Sequence, residues 1–296
     1  MDIVGGFACS HAGLVVTRRH LASQRSQDVV SLSYGKMGEA IVASAADAIV
    51  VIGTDHGRIY SFGLVPAFTI GVGPTAAGIG DAGLPKCTLP IHQPFAQAML
   101  TAAIDGGVDL AYSEAMLIDH SFVMPLVLAG VSDRMPIVPI ATNCNMPPLP
   151  TLDRFHEVGE KIGRAIRRGP AGKIVVIATG GLSHWVGQPA FQTFQGDAAG
   201  TRLARAADFS MELDDTGPIN TDFDRDFLES MCRGQSSAFM RDWNGARIQR
   251  EAGNGAQEIR NWMMLAGILG DPNGTVMGYT PEPAWLTGTA VVQFAT

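Results

Sequence analysis

Cysteine is scarce in this chain and never paired in spacing. The four, Cys9, Cys87, Cys144 and Cys232, are scattered with no Cys-x-x-Cys, which excludes a zinc knuckle or a thioredoxin-type redox motif and points to reduced thiols. Basic charge is also short: 21 Lys and Arg stand against 28 Asp and Glu, a net charge of −7. Basic residues do not cluster beyond Arg18-Arg19 and Arg167-Arg168, so no surface for nucleic acid or anionic lipid is expected. No apolar run approaches the roughly 18 residues that cross a bilayer. Met1–Gly6 lacks the basic start and apolar stretch of a signal peptide. The expectation is a cytoplasmic protein with no nucleic-acid and no membrane partner.

Repeats, low-complexity tracts and long linkers are missing too. The 296 residues, 46% hydrophobic and 17% charged, therefore read as one folded domain, 1–296. Residues 2–9, 48–53, 65–72, 135–141 and 173–179 are short apolar runs bounded by Gly, Pro, Asn or Asp, the signature of strands covered on both faces. Helical periodicity falls between them, over 33–47, 94–105 and 151–168. This alternation predicts an α/β fold, a central sheet with helices on both sides. The stretch 196–256 is more polar and weakly periodic, a variable elaboration in which Phe223, Phe227 and Met231 mark an amphipathic helix over 221–232. Asn254 and Gln257 have the spacing of a capping box for a helix that starts near Glu258. Thr275–Gly278 and Gly288–Phe294 read as closing strands.

Three of the seven histidines follow strands and are flanked by small residues: His11 in FACSHAG, His56 in IVVIGTDHG and His184 in IVVIATGGLSH. Glu258 opens the late helix, where the positive helix end favours an ionised carboxylate. Strand ends at one edge of an α/β sheet converge on a crevice. Two imidazoles and one carboxylate there would leave metal positions open, as in non-haem Fe(II) oxygenases, with the third histidine left to move protons. The residues alone leave open which two histidines would bind. His20, His92 and His156 lie in polar or helical surroundings and carry no such signal. Asp119-His120 forms an adjacent carboxylate–imidazole pair suited to acid–base work. Asp55-His56 repeats the dipeptide, with Asp55 a candidate to support a metal ligand. Gly71–Gly83 (GVGPTAAGIGDAG) lacks the Gly-Lys-Ser/Thr ending of a phosphate loop and reads instead as a mobile loop over a pocket.

Taken in order, Ser10-His11, Asp55-His56, Val65–Gly73, Asp119-His120, Gly180–His184 and Glu258–Trp262 resemble the class III (LigB-type) extradiol ring-cleavage dioxygenases. Gly106–Gly130, Pro139–Leu149 and Tyr279–Gly288 are most similar to the 2,3-dihydroxyphenylpropionate 1,2-dioxygenase branch. The resemblance implies a three-layer α/β/α fold with a central mixed sheet. It implies Fe(II) held by His11, His56 and Glu258, His184 as active-site base, and Asp119 with His120 as a second acid–base pair. The implied reaction inserts both atoms of O2 into a catechol-type ring to give a ring-opened semialdehyde in aromatic-compound catabolism. The implied partners are a small aromatic diol, O2, further copies of the chain in a homo-oligomer, and a separate small accessory subunit, since none is fused here. The chain departs from the pattern at Gly13, where relatives often have proline, and at Ser121, where many have glycine. Two other classes fit the same residues: a zinc hydrolase with metal-bound water as nucleophile, and a non-catalytic interaction module on the same fold.

Overall fold

The computed structural model describes residues 1–60, 64–185 and 217–296. Among them an eight-stranded mixed sheet runs in the order β10-β11-β1-β9-β2-β8-β3-β6. Its strands are β1 (Asp2–Cys9), β2 (Ala48–Thr54), β3 (Phe68–Gly71), β6 (Ala111–Ser113), β8 (Ile137–Thr142), β9 (Lys173–Thr179), β10 (Gly274–Glu282) and β11 (Thr287–Phe294). The centre is parallel: β1 pairs with β9, β9 with β2, and β2 with β8. β2 and β8 are buried at every position, and β9 at every position after Lys173. That is the pattern of apolar runs covered on both faces. The antiparallel β10–β11 hairpin closes one edge against β1. A separate three-stranded sheet, order β5-β4-β7, joins β4 (Thr75–Gly78), β5 (Cys87–Pro90) and β7 (Met116–Ile118).

Helices cover both sides, giving the three layers. α1 (Leu14–Thr17) follows β1 directly. α2 (Gln24–Ala43) and α4 (His120–Leu128) lie on one face, against β10, β11 and β2. α3 (Gln93–Asp105), α5 (Leu152–Arg168) and α9 (Ile259–Leu269) pack together on the other, with α9 on β9 and β1. α6 (Thr221–Cys232) leans on β10 and β11, and α7 (Ser236–Asp242) and α8 (Gly245–Glu251) complete the described elements. Phe223, Phe227 and Met231 form the buried stripe of α6, as the sequence pattern implies. The 196–216 part of the variable stretch lies outside the described residues.

Three local expectations are corrected. The helix expected at 33–47 starts nine residues earlier, where Ser23 accepts a capping bond from Ser26 N, and it ends at Ala43. Its buried face includes Ser26 and Ser33, and Ser26 Oγ meets Thr280 Oγ1 at 2.8 Å, so polar residues in core-facing positions hid the period. The expected capping box is not formed: a 3-10 turn spans Gly255–Glu258, and Gln257 Nε2 donates to Gly245 O instead. The GVGPTAAGIGDAG stretch contributes β4, a paired strand, and is not solely a loop.

Candidate metal centre and acid–base site

The parallel strands β1, β2, β8 and β9 all end on the same edge of the sheet, and the candidate residues sit just beyond them. Asn261, fully buried in the first turn of α9, ties three of these ends together. Its Nδ2 donates to Thr54 Oγ1 (2.9 Å) and Thr179 O (2.8 Å), and its Oδ1 accepts from Thr142 Oγ1 (2.6 Å). Thr54, Thr142 and Thr179 are the last residues of β2, β8 and β9. Thr179 Oγ1 in turn lies 3.0 Å from His11 Nδ1. Because Asn261 stands three residues after Glu258, the helix turn that presents the carboxylate also fixes the strand ends opposite.

His11, His56 and Glu258 meet. Glu258 is 1% exposed, with Oε2 3.1 Å from His11 Nε2 and Oε1 3.0 Å from His56 Nε2. Gly181 N donates to Oε2 (2.8 Å) and Asn145 Nδ2 to Oε1 (3.3 Å). The His11 and His56 rings stand edge to face, centroids 5.1 Å apart. Burial drives the His11 imidazole below its ordinary value. Burial would do the same to His56, but Asp119 and then Glu258 hold it well above. Against its own burial, Glu258 is kept well below the usual carboxylate range by His11 and His56.

Asp119 does not hold His120. It caps α4 in an extended conformation, with Oδ1 accepting from Ser121 N (2.9 Å). Its Oδ2 accepts from His56 N (3.2 Å) and meets His56 Nδ1 (2.9 Å). A capping side chain turns back along its own backbone, so its neighbour's ring points elsewhere. His120 Nδ1 instead lies 2.5 Å from Asp81 Oδ2. Burial would raise Asp81, but His120 keeps it below its usual value. The His120 ring stacks on His56 with centroids 4.4 Å apart and a 27° tilt. Asp55 does not support His56 either; it accepts from the N–H groups of Arg58, Ile59 and Tyr60 and shapes the turn.

Asp81 is a site residue that the sequence alone did not reveal. It sits in a turn with Gly80 and Gly83 at positive φ, against residue 13: a Cβ on Gly13 would lie 2.7 Å from Ala82 Cβ. The departure at Gly13 thus makes room for the turn that brings Asp81 to His120. The other departure, Ser121, donates Oγ to Thr54 O at 2.8 Å and braces the end of β2.

His184 ends the Gly180–His184 loop, beside the Gly255–Glu258 turn. Its Nδ1 is 2.9 Å from Leu182 O; a carbonyl only accepts, so Nδ1 carries the proton and Nε2 is left with the lone pair. The ring lies between two glycines: a Cβ on Gly255 would fall 2.1 Å from Nε2, and one on Gly181 2.3 Å from Cε1. Of the remaining histidines, His92 caps α3 through Phe95 N, and His156 pairs with Asp271 at 3.0 Å; neither joins the cluster.

The donor set suits a cation. Asp119 orients His56 through Nδ1 and Thr179 engages Nδ1 of His11, so both imidazoles turn Nε2 toward one buried carboxylate. His11 Nε2 is buried without a hydrogen-bond partner, although it is close to Glu258 in space, because the geometry there is not that of a hydrogen bond. A divalent metal would satisfy that orphaned atom, the second Nε2 and the carboxylate together. His11, His56 and His120 also present ring nitrogens within 4.8 Å of one another.

Residues 5–289 match the family model for the catalytic LigB subunit of aromatic ring-opening dioxygenase. A 2,3-dihydroxyphenylpropionate/2,3-dihydroxicinnamic acid 1,2-dioxygenase of Burkholderia vietnamiensis is 31% identical over 275 residues, 84% of each chain. One of the same name from Paraburkholderia xenovorans is 30% identical over 85% of this chain and 87% of its own. An uncharacterized protein of Escherichia coli K12 shares the fold, with TM-score 0.54 at 14% identity over 99% of this chain and 100% of that one.

Proposed function

Because the chain belongs to the LigB family of aromatic ring-opening dioxygenases, and is a ring-cleavage dioxygenase, we propose that 1–296 acts as one catalytic domain holding a single Fe(II) through His11, His56 and Glu258. The observation that carries this reading is the convergence of two oriented Nε2 atoms, one of them orphaned, on a buried carboxylate. Ferrous iron, when bound, supplies the electron relay between a catechol and dioxygen that spin otherwise keeps apart. His184, with Nδ1–H committed to Leu182 O, takes a catechol hydroxyl proton on Nε2. His120, as an imidazolium with Nδ1–H committed to Asp81, donates its Nε2 proton during ring opening and is reprotonated from solvent, while His184 releases the proton it took. Asp119 keeps His56 in the tautomer that presents Nε2 to the metal.

The proposed substrate is a catechol with a short carboxylate-bearing side chain, by analogy with relatives named for 2,3-dihydroxyphenylpropionate. Arg58 supports it. Its guanidinium makes no hydrogen bond among the described residues, and its closest carboxylate, Asp81 Oδ2 at 3.5 Å, is already engaged by His120. Its planar fork is suited to a substrate carboxylate. A homo-oligomer and a separate accessory subunit belong to the same proposal, by family analogy alone.

The test is metal analysis of the purified protein, with oxygen uptake on 2,3-dihydroxyphenylpropionate and on unsubstituted catechol. One iron per chain and uptake on the first substrate are expected, and Arg58→Ala should raise KM for that substrate about tenfold, with a smaller effect on catechol through the Asp81 carboxylate that Arg58 also faces. Because His120 sits within ligand distance of the cluster, His120→Ala is assayed for iron alongside. Retained iron fits the proton-donor role; lost iron makes His120 a ligand.

A further inference from the structure

Asp224 is a buried carboxylate with no cation among the described residues to balance it. It sits in the first turn of α6, 0% exposed. Oδ1 accepts from Ser183 N at 2.7 Å and Oδ2 from Tyr279 OH at 2.9 Å. β11 yields to let it in: a Cβ on Gly288 would lie 2.0 Å from Oδ2. Burying a carboxylate against neutral donors alone is unfavourable for stability, so the position calls for another reason.

The bond from Ser183 N supplies one. Ser183 is the residue before His184, and the same loop turns Gly181 N onto Glu258 Oε2. The start of α6 and β11 hold the middle of the loop, where Ser183 Oγ accepts from Asn220 N (3.0 Å), Ser183 O from Gly288 N (3.2 Å), and His184 bridges to Thr287, while Gly255 N donates to His184 O (3.2 Å) from the turn before α9. Asp224 provides the shortest of these bonds, at the amide of the residue before His184. The His184 ring depends on that backbone twice, through its Cα and through the Leu182 carbonyl that fixes its tautomer.

We propose that Asp224 is a positioning residue that holds the Leu182–His184 turn, and so aims His184 Nε2 at the substrate. The inference rests on His184 being the base. It requires an acceptor at Oδ1 rather than a charge. Asparagine can keep the Ser183 bond, with its amide nitrogen donating to the Tyr279 oxygen.

The test is a double-mutant cycle on the iron-loaded enzyme, with single-turnover ring cleavage as the rate and hydrogen exchange at residues 180–185 as an independent readout. Asp224→Ala should lower kcat about 10- to 100-fold with KM changed less than about threefold, iron retained and exchange at the Ser183 amide accelerated. Asp224→Asn should restore most of the rate and the protection. In a His184→Ala background, itself about 10² to 10⁴-fold slower, Asp224→Ala should cost nothing further. The same fold-loss in both backgrounds, or parental kcat in Asp224→Ala, overturns the proposal. Parental turnover in His184→Ala overturns the base assignment instead, and the two failures are thereby told apart. Should Asp224→Ala not fold, Gly288→Ala, which displaces Oδ2 without deleting it, carries the same expectations in both backgrounds.

Discussion

The carboxylates under the histidine cluster and the carboxylate behind the His184 loop are equally hidden from water and behave in opposite ways. Glu258 and Asp119 are 1% and 0% exposed and are held below the usual carboxylate range, because imidazoles outweigh burial. Asp224, also 0% exposed, meets only neutral donors among the described residues, the amide and hydroxyl of Ser183 and the Tyr279 phenol, and burial pushes it up to about 6. Partners, not depth, decide which buried acid stays charged. One region is organised to hold charge where a metal and protons are handled. The other holds a turn in place.

The sharpest way to break the contrast is to remove the charged set. His11→Ala, His56→Ala or Glu258→Ala should each strip the iron and abolish ring cleavage while circular dichroism shows the chain still folded. Full iron occupancy in all three variants would sink the proposed ligand set.

Next comes the crossing of the two carboxylate–imidazole pairs. Asp119→Asn removes the acceptor that fixes His56 and should weaken iron binding about 10- to 100-fold, measured by chelator competition. Asp81→Asn should leave iron binding unchanged and slow turnover by about 10²-fold. The sequence alone suggests the reverse, since Asp119 adjoins His120. If Asp119→Asn keeps iron at full affinity and alters only turnover, the adjacent-pair reading regains its place.

That reversal shows what was legible in the chain and what was not. β2 and β9 could be read from the sequence because AIVVIGT and KIVVIAT are largely continuous apolar runs, and the placing of His11, His56 and His184 beyond strand ends follows from where such runs stop. That His11 and His56 are the pair joined by Glu258 is what the family resemblance implied. The pairing of acids with imidazoles could not be read off. It depends on the cap geometry of Asp119 and on a turn at Gly80–Gly83 whose closeness to Gly13 is a tertiary fact. Nor does a sequence show that buried serines face the hairpin from α2, or that Asn261 ties three strand ends from one helix turn. Side chains that bond across elements leave no period behind.

Gly13 gives a milder probe of the same crossing. Gly13→Ala would put a methyl 2.7 Å from Ala82 Cβ, so the Asp81 turn must retreat by about 0.7 Å to reach ordinary contact at 3.4 Å. Turnover should fall by about tenfold at most with iron unaffected, and Asp81→Asn should mask the effect. An additive loss in the double variant would mean that Gly13 acts on something other than Asp81.

The smallest effect expected is on stability, and it tests the other side of the contrast. The Asp224 carboxyl is raised in the folded chain, so its contribution is fully present below the ordinary value of 3.8 and is lost as pH rises through about 6. Above that, folding must carry an ionised carboxylate that pairs with no cation among the described residues. Tyr279 on β10 faces it directly, Arg225 on α6 acts on that phenol, and β11 presents only Gly288. Asparagine cannot ionise, so Asp224→Asn should melt higher than the parent at pH 8, by at most about 3 kcal/mol at 1.36 kcal/mol per unit. The gap should close as pH falls below 5, and comparing the two chains at each pH cancels every other titration. Iron-loaded protein is used throughout, so that the histidine cluster does not lose its metal during the melt. A gap that is the same at pH 5 and pH 8 would trace the change to packing or hydrogen bonding. Asp224 would then be no more costly when charged than Glu258 or Asp119, and the contrast between the two regions would fail.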